Sequence, residues 1–229
     1  MKVVIIPARG GSKGIPKKNL KKINGITLVR RALLTSLESQ ADCVILSTDD
    51  ELIANEAKGL DIILHNRSEM NSMDNASSES VISEVINSVG TSWSNGTLIA
   101  MVQVTSPFTT SQLIDECFKI ASEGFASFTA VESHKLIWKE TSKGWQPVNH
   151  PATVRIRRQD MEKEVYETGA VYAFELEAFK VSGYRFCSPP MPVLENSIMS
   201  IDIDTPMDLL LVELISSQSG LASLLRSER

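Results

Sequence analysis

The sequence predicts an α/β fold, a three-layer sandwich in which helices cover both faces of a mostly parallel β-sheet. Short runs of β-branched residues alternate with helical stretches along most of the chain. The first of these runs, residues 3–6, is continuously apolar, which is typical of a strand that is buried on both faces. Parallel neighbours need crossover connections, so the intervening helices are expected to pack against the sheet.

The individual elements follow from the same patterns. Residues 28–37 show helical spacing, with Leu28, Ala32 and Leu33 on one side, and Gly59 closes the next helix along the chain. The further strands are predicted at residues 43–46, 61–64, 97–103, 126–131, 170–174 and 197–204. The further helices are predicted at residues 49–58, 77–89, 111–122 and from 206 onward.

The alternation stops between residues 133 and 168, a segment that we call the arm. It contains Trp138, Trp145 and a charged run without clean alternation of strand and helix. We interpret residues 1–229 as a single domain from which the arm is an excursion, either a lid or a dimerisation arm. An extended segment cannot bury much of itself, and tryptophan is enriched at subunit interfaces, so we predict a homodimer whose arms cross.

The composition excludes several classes of function. The chain has 229 residues, with 23 basic and 28 acidic side chains, a net charge of −5 and 42% hydrophobic residues, as in an ordinary soluble globular protein. It lacks the net positive field that gathers nucleic-acid phosphates, and no apolar run is long enough to cross a membrane. With three cysteines, no CxxC pair and no signal peptide, we expect a cytoplasmic protein with reduced thiols.

The loop after the first strand, residues 7–19 (PARGGSKGIPKKN), is expected to bind a polyphosphate; we call it the basic loop. Its glycines allow backbone N–H groups to face a ligand, and Arg9, Lys13, Lys17 and Lys18 bring four cations together. It lies at the carboxyl end of a strand, where open α/β sheets bind ligands. It is neither a Walker A motif nor GxGxxG. The alternative, a solvated basic loop with turn glycines, is disfavoured by that position.

A second motif, Asp202 and Asp204 in the run SIDIDTP, is expected to bind a metal ion; we call it the aspartate pair. In a strand these carboxylates would share one face while Ile201 and Ile203 enter the core. Two adjacent carboxylates repel each other, and Mg²⁺ removes that cost. Alternatively, Asp204 or Thr205 caps the last helix, and both roles can hold. Together with the basic loop, the pair suggests metal-assisted nucleotidyl transfer.

On these motifs the sequence resembles the acylneuraminate cytidylyltransferases, the CMP-sialic acid synthetases and their close relatives. The matching blocks run along nearly the whole chain, at residues 8–19, 47–49, 74–78, 103–107, 158–159, 169–172 and 200–205. The resemblance implies a Rossmann-like nucleotidyltransferase that joins CTP to a nine-carbon 2-keto sugar acid, N-acetylneuraminic acid, and releases pyrophosphate.

The resemblance also implies a role for each matching site residue. The triphosphate would be held by Arg9, Gly10, Gly11, Ser12, Lys13 and Lys18. The ribose and cytosine would be contacted by Asn19, Ser78, Arg67 and the backbone at Ala76. The sugar acid would face Gln103, Arg158 and Tyr172, with Arg158 a candidate for its carboxylate, and Lys139 would reach a neighbouring subunit's site. The aspartate pair would carry Mg²⁺, or Mn²⁺.

The expected chemistry needs charge neutralisation more than a protein nucleophile. The anomeric hydroxyl attacks the α-phosphorus in line, so Arg9, Lys18, Asp202 and Asp204 are the candidate catalytic residues. We hypothesise that a carboxylate of the pair accepts the hydroxyl proton. Departures from the family pattern near Thr168 leave open a related acid, pseudaminic or legionaminic. A catalytically silent CTP-binding module is the alternative from another class. Asp49 is expected only to cap a helix.

Overall fold

A seven-stranded sheet forms the centre of the computed structural model, which describes residues 1–12 and 14–217. The strands are β1 (Lys2–Pro7), β2 (Lys22–Ile23), β3 (Ile26–Thr27), β4 (Cys43–Thr48), β5 (Ile63–Asn66), β6 (Leu98–Val102), β7 (Ala126–Ser133), β8 (Trp138–Thr141), β9 (Gly144–Pro147), β10 (Glu164–Glu175) and β11 (Pro190–Leu194). The helices are α1 (Leu28–Leu37), α2 (Glu51–Asn55), α3 (Glu69–Ser72), α4 (Ser78–Ser88), α5 (Ser111–Ser122), α6 (Leu176–Ser182) and α7 (Pro206–Ser217). Short 3₁₀ turns occupy Lys18–Leu20, Gly90–Ser92 and Arg158–Asp160.

The sheet is mostly parallel, as predicted. Its strand order is β11-β7-β10-β6-β1-β4-β5. β1 pairs in parallel with β4 and β6, and β4 with β5. β10 runs antiparallel to both of its neighbours, β6 and β7, so it is reversed relative to the rest of the sheet. The carboxyl ends of the parallel strands therefore meet at one edge, where the basic loop leaves β1.

Helices cover both faces of the sheet because its central strands are apolar on both sides. Val4 and Ile6 pack into a cluster with α1 and α5, whereas Val3 and Ile5 pack into a second cluster with α4 and α6. All four side chains are fully buried. Alternate side chains of a strand point to opposite faces, so this continuous apolar run requires a layer on each side. The predicted three-layer α/β class is confirmed.

The main error of the sequence prediction lies near the end of the chain. Residues 197–204 were predicted as a strand but form no strand, and the sheet is completed by β11, which pairs with β7. Pro190 and Pro192 argued against a strand at β11 in the sequence. An edge strand tolerates prolines because the backbone N–H groups on its outer side need no strand partner. The segment is anchored instead by Ile203, which is fully buried and whose N–H donates to the carbonyl of Thr105 at 2.9 Å.

The arm is shorter than predicted and carries its own small hairpin. β10 begins at Glu164, which pairs with Ser133, so the chain leaves the sheet only between these residues. β8 and β9 pair antiparallel in a separate sheet, and Trp145 is 66% exposed. The dimerisation role of the arm stays a prediction. Within the described ranges, no helix has both the length and the apolar character needed to span a bilayer.

Candidate active site

A cavity of about 420 Å³ opens at the carboxyl edge of the sheet, between the basic loop, the start of α4 and the end of β6; we call it the cleft. It is lined by ten of the predicted site residues: Arg9, Gly11, Ser12, Lys18, Asn19, Arg67, Ala76, Ser78, Gln103 and Asp204. These residues come from five separate parts of the sequence, and the cleft is the place where the fold brings them together.

The other predicted site residues lie elsewhere. Tyr172 is 6% exposed, in the core beside the cleft. Arg158 and Lys139 are exposed on the arm and are not among the described residues that line the cleft, so their contact with a sugar acid stays a prediction. Gly10 is not among the described residues that line the cleft, and a Cβ there would lie 2.6 Å from Oδ2 of Asp50. Lys13 lies outside the described residues.

The basic loop and the aspartate pair meet directly, although they lie at opposite ends of the sequence. The Nζ of Lys18 donates to the carbonyl of Ile203 at 2.7 Å and to Oδ1 of Asp204 at 3.1 Å. Gly14 is so close to this segment that a Cβ there would lie 2.7 Å from the carbonyl oxygen of Asp204. Arg9, Lys18 and Asp204 therefore line the same cleft, whereas Asp202 is not among the described residues that line it.

Backbone and side-chain hydrogen bonds fix the shape of the basic loop. Asn19, which is 8% exposed, donates from Nδ2 to the carbonyl of Arg9 at 2.8 Å. The N–H of Gly10 donates to Oδ1 of Asp49 at 2.9 Å. The guanidinium of Arg9 forms an ion pair with Asp74 at 2.8 Å across the cleft. The loop is thus held in place by side chains from several elements.

On the opposite wall, the start of α4 offers a favourable environment for an anion. Ser77 caps this helix by accepting from the N–H of Ser80, and both Ser77 and Ser78 line the cleft. The N-terminus of a helix carries partial positive charge. Arg67 is held nearby by the carbonyl of Ser47 at 2.9 Å, and burial lowers its pKa from the ordinary arginine value. Positive groups therefore lie on two sides of the cleft.

The aspartate pair fits a divalent cation. Oδ1 of Asp202 is buried and has no hydrogen-bond partner among the residues that the structure describes. Burial raises the pKa of Asp202, and the neighbouring charge of Asp204 adds to this rise. A cation would satisfy the unpaired oxygen and relieve the repulsion. The described part of the chain holds no group of three or more His, Cys, Asp or Glu side chains suited to a metal, so the metal site stays a prediction.

The cap of α7 leaves Asp204 available. Asp208 accepts from the N–H of Thr205 at 2.7 Å, and the hydroxyl of Thr205 accepts in turn from the N–H of Asp208. The N–H and the hydroxyl of Thr205 both donate to the carboxylate of Asp208 and lower its pKa. The two residues form a reciprocal cap of the helix start, so Asp204 is not needed for that role. Of the two alternative caps considered from the sequence, the structure shows Thr205.

Sequence reasoning missed two carboxylates that hold the basic loop in place. Asp49 was expected to cap α2, but that prediction is wrong: the neighbouring Asp50 caps it, and Asp49 binds the N–H of Gly10 instead. Asp74, the partner of Arg9, was not singled out at all. Both residues lie within sequence blocks that carry the family resemblance, and this was the signal that could have identified them.

Comparisons with known proteins identify the family. A family model described as Cytidylyltransferase matches residues 3–217. The chain is 33% identical over 216 residues to N-acylneuraminate cytidylyltransferase B of Danio rerio and 27% identical over 216 residues to N-acylneuraminate cytidylyltransferase of Streptococcus agalactiae serotype V. These alignments cover 90% of this chain but 50% and 51% of the two relatives, so the chain spans about half the length of the curated relatives that it matches.

Solved structures agree on the fold. A CMP:2-keto-3-deoxy-manno-octonic acid synthetase complexed with CTP has a TM-score of 0.69 at 16% identity, over 95% of this chain and 98% of that one. The 4-diphosphocytidyl-2C-methyl-D-erythritol synthase of Anaerococcus prevotii has a TM-score of 0.69 at 15% identity, over 95% and 96% of the two chains. The resemblance inferred from the sequence motifs is confirmed, and the chain belongs to the cytidylyltransferase family.

Proposed function

We propose that this protein transfers CMP from CTP to the anomeric hydroxyl of N-acetylneuraminic acid and releases pyrophosphate. The observation that carries the proposal is the contact of Lys18 with Asp204 and with the carbonyl of Ile203, because it joins the basic loop to the segment of the aspartate pair at the cleft. The names of the curated relatives support the choice of sugar acid.

The cleft residues can perform the steps that this reaction requires. Arg9, Lys18 and the start of α4 would hold the triphosphate and balance its charge as pyrophosphate leaves. When bound at Asp202 and Asp204, Mg²⁺ or Mn²⁺ would supply further neutralisation of the phosphates. The hydroxyl proton of the sugar acid would pass to a carboxylate of the aspartate pair. Arg67 and the backbone at Ala76 would contact the cytosine, while Gln103 would face the sugar acid.

The test is pyrophosphate release by the protein with CTP, Mg²⁺ and one acid at a time from a panel of N-acetylneuraminic, pseudaminic and legionaminic acids. Turnover with N-acetylneuraminic acid supports the proposal. Turnover with only one of the other acids replaces the proposed substrate with that acid. CTP binding without turnover of any acid would contradict an enzymatic role and favour the catalytically silent CTP-binding module.

We also propose that the protein acts as a cytoplasmic homodimer. Trp138 and Trp145 are exposed on the hairpin of the arm, where a second subunit would cover them, although they could instead stack on a sugar. Cys43, Cys117 and Cys187 are free thiols. Light scattering of the full chain should give the mass of a dimer, and Trp145→Glu should shift it towards the monomer.

Gly14→Ala is expected to lower kcat/KM for CTP by about tenfold or more while the fold is kept. The added Cβ would lie 2.7 Å from the Asp204 carbonyl, so the loop and the aspartate pair must move apart, and small displacements in an active site are costly. Gly124→Ala is the control, because Gly124 has φ +91 in open space on a distant turn. That variant should lose about 1 kcal/mol of stability but no activity. Full activity of Gly14→Ala would contradict the close approach.

A further inference from the structure

Beside the cleft, a partly buried arginine connects the helix that lines the cleft to a tyrosine of the central sheet. Arg185 lies between α6 and β11, and its Nε donates to Oε1 of Glu79 at 2.6 Å. The two side chains are only 15% and 14% exposed, so this ion pair is largely shielded from water. Glu79 follows Ser78 in the first turn of α4, and Ser78 lines the cleft.

The same guanidinium covers the ring of Tyr172. Its central carbon lies 4.4 Å from the ring centroid, within the range of a cation–π contact, and the ring of Phe186 meets Tyr172 edge-on at 6.0 Å. The hydroxyl of Tyr172 donates to Oε2 of Glu167 at 2.8 Å. Burial, with Glu167, raises the pKa of Tyr172 to about 12, so the hydroxyl keeps its proton at neutral pH. The tyrosine is thus fixed on its face, its edge and its hydroxyl.

This cluster adjoins the end of the cleft that is remote from the basic loop. Tyr172 pairs with Met101 on β6, two residues before Gln103, which lines the cleft. The N–H of Gln103 donates to the carbonyl of Ala170, and a Cβ on Gly169 would lie 3.7 Å from the Gln103 side chain. The β10 segment that carries Glu167 and Tyr172 therefore lies next to Gln103, on the side of the cleft where the second substrate is expected.

The chemistry of this β10 segment suits one end of a sugar acid. Glu167 is exposed, so its carboxylate can accept hydrogen bonds from hydroxyl or amide N–H groups. The same carboxylate repels the carboxylate of the acid, which is therefore directed towards the basic side chains. Because Tyr172 donates to Glu167, the direction of that carboxylate depends on how firmly the tyrosine is held.

We infer that Arg185 is a positioning residue for the sugar acid. By fixing Tyr172, and through it Glu167, Arg185 sets the affinity for the acid and leaves the affinity for the nucleotide unchanged. This inference rests on the proposed function. Lysine would not serve in its place, because only the planar guanidinium can lie over a ring and donate sideways to Glu79 in a fixed direction. A buried ion pair gives little net stability compared with apolar side chains of the same size, so stability alone does not account for it.

The test compares KM values for the two substrates in Arg185→Met, Arg185→Lys and the double variant Glu79→Gln/Arg185→Met. Arg185→Met alone leaves Glu79 buried without its partner and should lower Tm. The double variant removes both charges, so it should recover Tm. In all three variants the KM for the sugar acid should rise about tenfold, while the KM for CTP stays within about twofold of the wild type. Lys180→Met is the control, since Lys180 forms only an exposed pair with Glu177 on α6.

The outcomes are distinguishable. A wild-type KM for the acid in the double variant would overturn the inference and leave the proposed function intact. An equal rise in both KM values would also overturn it, because it would indicate general damage to the cleft. A wild-type protein that turns over none of the acids would overturn the proposed function together with this inference.

Discussion

Asp202→Asn is expected to slow pyrophosphate release by about a hundredfold or more, because it would remove a charged ligand from the proposed metal site. The same change should raise the Tm of the metal-free protein. The pKa of Asp202 is raised in the folded protein, so ionisation of this carboxyl group lowers the stability of the fold. This loss of stability is present above the pKa of Asp202 in the folded protein and is relieved as the pH falls through that value. Asparagine carries no charge, so the variant avoids this cost at neutral pH. Steady-state rates and thermal unfolding with and without Mg²⁺ measure both effects.

Asp115→Asn serves as the matched control. Asp115 lies on α5, away from the cleft, and accepts from the N–H of Gln40 at 2.7 Å. Its replacement should lower stability slightly and leave turnover unchanged. An Asp202→Asn enzyme with near-normal turnover and an unchanged response to Mg²⁺ would remove Asp202 from the metal site. A lower Tm in that variant would contradict the interpretation of its unpaired oxygen.

Lys18→Met is expected to reduce kcat/KM for CTP by about a hundredfold. Its side chain is 17% exposed, and its ammonium group pairs with Asp204 while it donates to the carbonyl of Ile203. Methionine fills similar space but removes the charge, so the aspartate pair would face the triphosphate without a cation beside it. The rate of pyrophosphate release at varied CTP measures the loss.

Lys22→Met is the control for Lys18, because Lys22 is exposed on β2 and is not among the described residues that line the cleft. It should keep the wild-type kcat/KM. The role of Lys18 would be contradicted if both lysine variants behaved alike, or if Lys18→Met changed only the Tm.

The arrangement of the sheet could be predicted from the sequence because burial leaves a local signature. The run of residues 3–6 is apolar at every position, and only a strand covered on both faces requires this. Helix α1 shows the spacing of a single apolar face and was predicted with its observed ends. These patterns depend on near neighbours in the chain, so they can be recognised without knowledge of the fold.

Part of the site could not be predicted, because its contacts depend on which elements the fold brings together. The basic loop was identified from its own glycines and cations, but the pairing of Arg9 with Asp74 joins residues 65 positions apart. Asp49 and Asp50 differ by one position in the sequence, and only the direction of each side chain decides which caps the helix. The missed strand β11 gained its place through pairing with β7, which outweighs the low strand propensity of its prolines.

The ion pairs of Arg9 with Asp74 and of Lys18 with Asp204 have a consequence for how a ligand enters. Under the proposed function, the protein's own carboxylates act as counterions to these cations before CTP binds. Loading is then an exchange of anions, and small monovalent anions gain little by competing with carboxylates tethered at close range. A triphosphate that brings its own divalent cation can replace both aspartates at once. It would supply negative charge to the basic side chains and positive charge to the displaced aspartates.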